Sequence, residues 1–180
     1  MTTIRDEYER RRLIPSDINE HMPQLMWLAE QCRHVTEFGV RSGNSTVAFL
    51  AGLVGNGGML HSYDRDDCIG AIDDNVNYEP ATWVFDMHDT GAMPLIAPTD
   101  MLFIDTLHDA AHVSKELRQA WAVKKYLVFH DTVLFGSADE STGQPPGIMH
   151  AILDFMTTDA AWRVGEHSFN NCGLLVLQRR

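Results

Sequence analysis

The sequence predicts an α/β protein, a three-layer sandwich in which helices cover both faces of a mostly parallel sheet that ends in an antiparallel strand pair. Segments with the apolar pattern of strands alternate with segments of helical periodicity, which is typical of parallel β-α-β units. Residues 100–105 form an almost continuous apolar run, as expected of a strand that is buried on both faces. The chain closes on two strand patterns separated by two asparagines, which indicates the antiparallel pair.

The first half of the chain is predicted to alternate helix and strand twice. Residues 16–32 have one apolar helical face and complete a helical extension over residues 1–32. A strand at residues 34–39 ends in a glycine, and the helix at 44–54 is stopped by the glycine-rich segment that follows it. An alternating strand at residues 59–64 then terminates in a carboxylate.

The second half continues this alternation. The sequence predicts a short helix at residues 67–76 and a strand at 81–87, which lead to the apolar strand at 100–105. A helix with several apolar residues available for packing follows at 108–124, and a strand at 126–131 ends in another acid.

The last helix and the closing strands complete a seven-stranded sheet. The helix predicted at residues 148–159 has two prolines at or just before its first turn, a position that proline favours. The closing strands are residues 162–169 and 172–180. Because 180 residues make one domain of ordinary size, we expect residues 1–180 to form a single domain.

Composition and charge argue against several classes of partner. The net charge of −11 at pH 7 argues against nucleic acid, because a polyanion binder needs a cationic surface. The longest uncharged apolar run, residues 47–55, is far shorter than the ~20 residues of a membrane-spanning helix. Residues 1–13 lack the apolar core of a secretory signal, so we expect a cytoplasmic protein with no membrane partner. The three cysteines form no C-x-x-C pair and predict neither a disulfide framework nor a thiolate zinc site.

Polar residues concentrate where the predicted parallel strands end. In such sheets, ligands bind beyond the carboxyl ends of the strands. A carboxylate at one strand end is ordinary, because chains leave sheets through polar residues, but several at one rim indicate a site. The residues at these ends are Glu37, Gly39, Asp64, Asp105, His130 and Asp131.

The turn after the first strand of the predicted sheet carries two glycines, Gly39 and Gly43, in the stretch "EFGVRSGNST". A dinucleotide-binding turn would have a second glycine where this chain has Arg41, whose long side chain would lie where the diphosphate belongs. A phosphate-binding loop of the Walker type is excluded as well, because no lysine follows Gly43. The turn therefore suits a smaller, nucleoside-like ligand without a diphosphate.

The carboxylate of Asp64 suggests what that ligand is. Asp64 lies 21 positions after Gly43, close to the spacing of ~20 residues at which an acid reaches ribose hydroxyls in such folds. A ligand with a ribose, no diphosphate and a cationic centre suits this acidic rim. S-adenosylmethionine meets all three conditions.

Four stretches together carry a family resemblance: "TEFGVRSGNSTVAFL", "LHSYDRD", "DMLFIDTLHDAAHVSKEL" and "YLVFHDT". They resemble the Rossmann-like class I S-adenosylmethionine-dependent methyltransferases. Within that class they are similar to the branch with the small metal-dependent O-methyltransferases and the cephalosporin hydroxylase-like group. The glycine turn alone is a weak signal, whereas F-I-D-x-x-H followed by F-H-D-T at the next strand end is fairly specific.

The resemblance implies a set of cofactor contacts. Glu37, Gly39 and Gly43 would line the methionine part of S-adenosylmethionine, and Asp64 would bind its ribose. Asp86 would lie near the adenine, although Asp89 could take that place. The full set of candidate cofactor residues is Glu37, Gly39, Arg41, Gly43, Ser45, Asp64, Asp86 and Asp105.

A divalent cation is predicted between two of the strand ends. Asp105 and Asp131 follow strands expected to be neighbours, ~4.8 Å apart, so both carboxylates could reach one ion. His130 adds an imidazole as a third candidate ligand. Carboxylate oxygens favour magnesium, with manganese and calcium as alternatives, while a fully engaged His130 would shift the preference toward manganese, iron or zinc.

The resemblance also implies a general base, because the related sugar O-methyltransferases carry D-x-x-H before the paired acids. By that likeness His108 would accept the proton of a small hydroxylated acceptor. His112, one helical turn further on, could be the base or a partner of the base. Two plainer interpretations stay open, in which His108 belongs only to the start of a helix and His130 donates to a backbone carbonyl behind the sheet.

Two other functions stay open at this point. The chain could bind an adenosyl ligand without catalysis, because it is short and has little spare sequence for a lid. It could also be a metal-dependent hydrolase or lyase, although this leaves the glycine turn and Asp64 unexplained. Residues 132–147 form the candidate lid, and Met26 and Trp27 could pack on a partner subunit to form a homodimer.

Overall fold

The computed structural model describes all 180 residues and contains the predicted seven-stranded sheet. The strands are β1 Thr2–Thr3, β2 His34–Phe38, β3 Met59–Asp64, β4 Val76–Asn77, β5 Thr82–Met87, β6 Thr99–Ile104, β7 Val123–His130, β8 Trp162–Ser168 and β9 Leu174–Arg179. The main sheet has the order β5-β3-β2-β6-β7-β9-β8, while β1 and β4 form a separate short pair. The strands from β5 to β7 are parallel and β9 is antiparallel to both of its neighbours, which confirms the predicted fold class.

Helices cover both faces of the sheet and complete the three layers. They are α1 Ile4–Arg12, α2 Met22–Glu30, α3 Asn44–Leu53, α4 Ala110–Glu116 and α5 Ile148–Thr158. Buried residues of α1, α2 and α3 form one hydrophobic cluster with one face of the sheet. Buried residues of α4 and α5 form a second cluster with the opposite face. No helix in the protein combines the length and the apolar character that crossing a bilayer would require.

Two predicted helices are shorter than the sequence pattern suggested. The helix expected at residues 16–32 begins only at Met22, after a 3-10 turn at Asn19–His21. The helix expected at 108–124 is α-helical only from Ala110 to Glu116 and continues as a 3-10 helix. In both cases the apolar periodicity correctly predicts a helix, but the hydrogen-bonding pattern changes to that of a 3-10 helix at one end of the element.

The helix predicted at residues 67–76 is wrong, because only a 3-10 turn at Ile69–Ala71 forms there. Aspartate side chains account for the difference. Asp67 accepts a hydrogen bond from the Ile69 backbone N–H, and Asp73 accepts one from the Asn75 backbone N–H. Such local turns satisfy the backbone without a helix.

The N-terminal helix α1 belongs to the body of the protein. Thr3 and Asp6 form a reciprocal capping box at its start, with hydrogen bonds between each side chain and the other residue's backbone N–H. Ile4 and Tyr8 are buried in the same hydrophobic cluster as α2 and α3. The helices of the extension over residues 1–32 therefore pack into the same hydrophobic cluster as α3 and one face of the sheet.

The strand register brings the predicted site residues to one edge. Phe38, Ile104 and Phe129 are paired in register on β2, β6 and β7. The next residues along these three strands, Gly39, Asp105 and His130, therefore lie side by side at the carboxyl edge of the sheet.

Candidate active site

The glycine turn between β2 and α3 presses against the end of β6. Gly39 has φ +90° and Gly43 has φ +75°, values that favour glycine. A Cβ atom on Gly39 would lie 1.9 Å from the carbonyl oxygen of Asp105. Only a glycine allows the turn to approach the neighbouring strand this closely, so the turn and the Asp105 strand end form one continuous surface.

Asp64 at the end of β3 holds the glycine turn through backbone donors. Its Oδ2 atom accepts from the N–H groups of Val40 at 2.7 Å and Arg41 at 3.1 Å, and its Oδ1 atom accepts from Asp66. Burial would raise the pKa of Asp64, but these donors prevail and lower it. Oδ1 accepts from only one backbone N–H and could accept from another donor, and ribose binding by Asp64 stays a prediction.

Glu37 lies behind the glycine turn and is fully buried. Its carboxylate accepts hydrogen bonds from the hydroxyls of Ser45 at 2.6 Å, Thr46 at 2.9 Å and Ser62 at 2.6 Å. Burial raises the pKa of Glu37 to about 7, although the hydroxyl donors act in the opposite direction. Glu37 therefore ties β2 to β3 and to the first turn of α3, and it does not line the cleft.

A cleft opens above the glycine turn at the carboxyl edge of the sheet. Its walls are Ile18, Gly39, Val40, Arg41, Ser42, Asn44, Ser45, Asp105, Thr106 and His108. Five of the predicted residues are among them, whereas Glu37, Gly43 and Asp64 are not. The glycine turn therefore forms a large part of the cleft wall.

The segment before α2 forms part of this cleft, which sequence reasoning missed. Ile18 is buried in the cleft wall, and the guanidinium of Arg41 forms an ion pair with Asp17. The side chain of Asn171 also donates to the backbone carbonyl of Ser16. These contacts join positions far apart in the chain, and apolar periodicity carries no signal for them.

Neither candidate for the adenine contact lies in the cleft wall. Asp86 lies within β5, one residue before its end, and its Oδ2 atom is 2.7 Å from Nε2 of His61. Asp89 accepts a hydrogen bond from the Gly91 backbone N–H in the following loop. The adenine contact of Asp86 or Asp89 stays a prediction.

Asp105, Asp131 and His108 converge at the end of the cleft. Nε2 of His108 is 2.9 Å from Oδ2 of Asp131 and 3.4 Å from Oδ1 of Asp105. One ligand atom from each of the three residues lies within 4.8 Å of the others, which is close enough for all three to contact one cation. The predicted convergence of the two carboxylates is therefore present, with His108 between them.

His130 faces the same pair of carboxylates from inside the protein. Its Nδ1 atom is 3.2 Å from Oδ1 of Asp105 and 3.3 Å from Oδ2 of Asp131. Its Nε2 atom lies 3.1 Å from the backbone carbonyl of Asp17 and 3.3 Å from that of Asn171. Nε2 of His130 thus lies against backbone carbonyls, while Nδ1 lies against the two carboxylates. Histidines that bind metals adopt this arrangement, donating one N–H to a carbonyl and directing the other nitrogen to the ion.

Charges are strongly coupled around the two carboxylates. Burial would lower the pKa of both histidines, but hydrogen bonds to Asp105 and Asp131 prevail and raise the pKa of His108 to about 10 and that of His130 to about 11. Burial would raise the pKa of each aspartate, and the histidines lower both instead. The aspartates therefore stay ionised and attract positive charge to this point.

Asp131 carries two further marks of a functional position. Its backbone has φ 56°, in the left-handed region that a residue with a side chain rarely adopts. Its Oδ1 atom is buried and has no hydrogen-bond partner. Strained backbone and unpartnered buried oxygens are costly, and they concentrate at sites that bind a ligand.

His112 points away from the carboxylate pair. Its Nε2 atom is 3.1 Å from Oε1 of Glu116, which is fully buried and also accepts from the hydroxyls of Thr90 and Thr106. This buried cluster connects the loop after β5 with the loop after β6. Of the two histidines considered for the base, His108 is the one beside Asp105 and Asp131.

Two residues of the loop after β7 also contact His108, one at Nδ1 and one on the face of its ring. Oε2 of Glu140 is 2.9 Å from Nδ1 of His108, and the ring of Phe135 stacks on the imidazole at a centroid distance of 4.7 Å. Sequence reasoning proposed this loop as a lid but did not identify either contact. The only signal was that the loop follows Asp131 directly.

The fold and this rim define a Rossmann-like α/β protein with a cleft beside a pair of aspartates. Residues 36–132, more than half of the chain, match the family profile described as a methyltransferase domain. The chain belongs to this family, which confirms the methyltransferase class predicted from the sequence.

Solved structures support the fold. An O-methyltransferase from Bacillus cereus, solved with S-adenosylhomocysteine, is 15% identical with a TM-score of 0.62, and the match covers 99% of this chain and 98% of that chain. A methyltransferase from Podospora anserina bound to S-adenosylhomocysteine is 14% identical with a TM-score of 0.62, covering 98% of this chain and 87% of that one. The N-methyltransferase NodS from Bradyrhizobium japonicum is 14% identical with a TM-score of 0.62, covering 98% of each chain. Such identities establish the shared fold alone, and no curated protein matches the sequence.

Proposed function

We propose that the protein transfers a methyl group from S-adenosylmethionine to a hydroxyl of a small acceptor, with the help of a divalent cation. The observation that carries this proposal is the double position of Asp105. This residue lines the cleft above the glycine turn and also belongs to the carboxylate pair. A methyl donor in the cleft and an acceptor held at the pair would therefore meet at one point.

The cleft suits the donor for reasons of size and charge. Gly39 lets the turn lie against the end of β6, so that the turn and Asp105 share one wall of the cleft, and Arg41 stands where a dinucleotide-binding turn would have its second glycine. Asp64 is ionised and fixed by backbone donors, and its Oδ1 atom, which accepts only one backbone N–H, would accept from a ribose hydroxyl. S-adenosylmethionine supplies an electrophilic methyl group on a sulfonium, and the acidic rim would stabilise that positive charge.

The residues at the carboxylate pair fit a divalent cation. Asp131 has a buried oxygen without a partner, and His130 directs Nδ1 to the carboxylates while Nε2 meets backbone carbonyls. Asp105, His130 and Asp131 would hold the ion. Their oxygens favour magnesium, as predicted from the sequence, and the imidazole nitrogen adds a preference for manganese. A bound divalent cation lowers the pKa of a hydroxyl that coordinates it.

His108 would take the proton of the acceptor hydroxyl at Nε2, and the proximity of this atom to Asp131 supports that role. Hydrogen bonds to Asp105 and Asp131 raise the pKa of His108 to about 10, which is too high for a base at neutral pH. A cation between Asp105 and Asp131 would replace the positive charge that the imidazole now provides and so lower that pKa. The ion and the base are therefore electrostatically coupled.

The carboxylate pair also favours oxygen as the methylated atom. The structural relatives include both O- and N-methyltransferases, so the fold alone does not choose between them. An amine acceptor needs no cation to become a nucleophile, only the loss of a proton. Two aspartates with an adjacent imidazole suit a hydroxyl, whose proton is much harder to remove.

The decisive experiment is a methyl-transfer screen with labelled S-adenosylmethionine and a panel of catechols, phenols and sugars. We expect transfer to at least one hydroxylated acceptor, its loss in EDTA, and its return on adding magnesium or manganese. Binding of S-adenosylmethionine by calorimetry without transfer to any acceptor would favour the non-catalytic binding module. Absence of binding up to low millimolar concentrations would contradict the proposal.

Three further expectations stay predictions. Homodimerisation through α2 would cover Trp27, whose side chain is 57% exposed. The loop at residues 132–147 is the candidate lid, since it follows Asp131 and contacts His108. A cytoplasmic location is an expectation that rests only on the sequence.

A further inference from the structure

The loop after β7 contains a tightly folded turn that presents one carboxylate to the site. Oδ1 of Asp139 accepts from the Ser141 hydroxyl at 2.6 Å and from the backbone N–H and hydroxyl of Thr142 at 2.8 and 2.9 Å. The backbone N–H of Gly143 donates to the Asp139 carbonyl at 2.8 Å. These bonds close residues 139–143 on themselves. Glu140, within this turn, is the residue whose side chain reaches His108.

Glu140 contacts His108 twice. Its Oε2 atom is 2.9 Å from Nδ1 of His108, and its backbone N–H donates to the His108 carbonyl at 3.2 Å. The ring of Phe135 stacks on the other side at an interplanar angle of 15°. The stacked Phe135 ring therefore fixes the plane of the imidazole, and the contact with Glu140 fixes the direction in which Nδ1 points.

We infer that Glu140 is a positioning residue of the active site, which orients His108 so that Nε2 faces the carboxylate pair and the acceptor hydroxyl. The inference rests on the proposed function, because it gives His108 a task that requires one orientation. A proton on Nδ1 that is donated to Glu140 leaves Nε2 as the nitrogen that can exchange a proton with the acceptor. Glu140 itself touches neither aspartate of the pair.

A structural explanation of the same contact makes a different prediction. If Glu140 only anchored its own loop, its loss would free residues 139–143 without changing His108. The Asp139 bonds hold that turn independently of Glu140, however, so the side chain of Glu140 is not needed to shape it. What Glu140 adds is the bond to the imidazole.

The test compares Glu140→Ala and Glu140→Gln with the wild type and with Glu166→Ala. Glutamine keeps an oxygen that can accept from Nδ1, whereas alanine removes the acceptor. Glu166, on the exposed face of β8, is the control for the loss of one surface carboxylate. For Glu140→Ala we expect kcat to fall about 10- to 100-fold, with KM for the acceptor and Kd for S-adenosylhomocysteine within about twofold of wild type. Glu140→Gln should stay within about fivefold of the wild-type kcat.

The second readout does not depend on turnover. In protein labelled with ¹⁵N-histidine, the Nδ1–H proton of His108, assigned by its loss in His108→Asn, should be protected from exchange in the wild type. Protection should persist in Glu140→Gln and Glu166→Ala and disappear in Glu140→Ala. The thermal midpoint of each Glu140 variant should remain close to that of the wild type, since exposed substitutions change stability little.

Several results would overturn the inference. These are a kcat of Glu140→Ala equal to that of Glu166→Ala, an equal loss in Glu140→Ala and Glu140→Gln, or a His108 Nδ1–H proton that stays protected in Glu140→Ala. If the wild type transfers no methyl group at all, the proposed function fails. The exchange measurement then still decides whether Glu140 holds His108.

Discussion

Two groups of carboxylates lie near the carboxyl edge of the sheet, and they are hydrogen-bonded in different ways. Glu37 receives three hydroxyl donors from Ser45, Thr46 and Ser62, and it has no access to the cleft. Asp105 and Asp131 receive two imidazoles, and Asp131 keeps a buried oxygen without a partner. The first group is complete within the protein, while the second still has capacity for a ligand.

This difference indicates a structural role for Glu37 and a chemical role for the aspartate pair, although all three carboxylates lie close together. Neutral hydroxyls stabilise Glu37 without bringing any charge, so its pKa rises to about 7 on burial. Asp105 and Asp131 are instead hydrogen-bonded to the imidazoles of His108 and His130, which lower the pKa of both carboxylates and keep them charged. Substitutions at Glu37 should therefore act on stability, and substitutions at the aspartate pair should act on turnover.

The largest expected effect is on activity at the aspartate pair. Asp131→Ala should lower kcat/KM for methyl transfer by at least about 100-fold, because it removes a cation ligand and a neighbour of the base. The affinity for S-adenosylhomocysteine, measured by calorimetry, should change little because Asp131 lies outside the wall of the cofactor cleft. Methyl transfer by Asp131→Ala at the wild-type rate would contradict the assignment.

The next effect is on stability at Glu37. Glu37→Ala leaves three buried hydroxyls without their acceptor and opens a cavity, so the free energy of unfolding should fall by about 3 kcal/mol or more. Urea denaturation measures this loss. Glu37→Gln, which keeps one oxygen acceptor and adds an amide that the hydroxyls can accept from, should lose about 1 kcal/mol. Equal stability of Glu37→Ala and wild type would show that Glu37 does not hold the turn.

The smallest expected effect is a difference in the pH range over which Glu37 and His130, the neighbour of the aspartate pair, contribute to stability. Because folding raises the pKa of Glu37 from 4.5 to about 7, its contribution to stability is complete below pH 4.5 and is lost as pH rises toward 7. Folding raises the pKa of His130 from 6.5 to about 11, so its contribution is complete below pH 6.5 and is lost on the way to pH 11.

Unfolding in urea at a series of pH values, in EDTA, measures both windows. The difference between wild type and Glu37→Gln should change with pH between 4.5 and 7. Over pH values above 4.5, where Asp105 and Asp131 stay ionised, the difference between wild type and His130→Gln should change only above pH 6.5. Both differences changing over the same pH range would contradict the distinction between the two groups.

The sequence was sufficient for the sheet and for the meeting of its strand ends. Continuous apolar runs such as residues 100–105 identify buried parallel strands, and neighbouring parallel strands bring Asp105 next to His130 and so close to Asp131. The helix at residues 67–76 was wrong because aspartate side chains form turns there that apolar periodicity does not detect. Helix α1 had a usable signal in Thr3 and Asp6, which form its capping box.

The contacts that complete the candidate site could not be predicted in the same way. Asp17 reaches Arg41 across 24 positions, and Glu140 reaches His108 across 32. Both pairs depend on how loops pack over the rim, and loop packing leaves no periodic pattern in a sequence. The contacts of Glu37 could not be predicted for a related reason, because its side chain accepts from three hydroxyls that no periodic pattern connects to it.

The most direct test of the central claim is a crystal structure of the protein with S-adenosylhomocysteine and manganese, with anomalous diffraction to locate the metal. We expect an anomalous peak bonded to the carboxylates of Asp105 and Asp131. We also expect a nucleoside above Gly39 with a ribose hydroxyl that donates to Asp64. A nucleoside bound elsewhere, or full occupancy of the cleft with no metal between the two aspartates at saturating manganese, would contradict it.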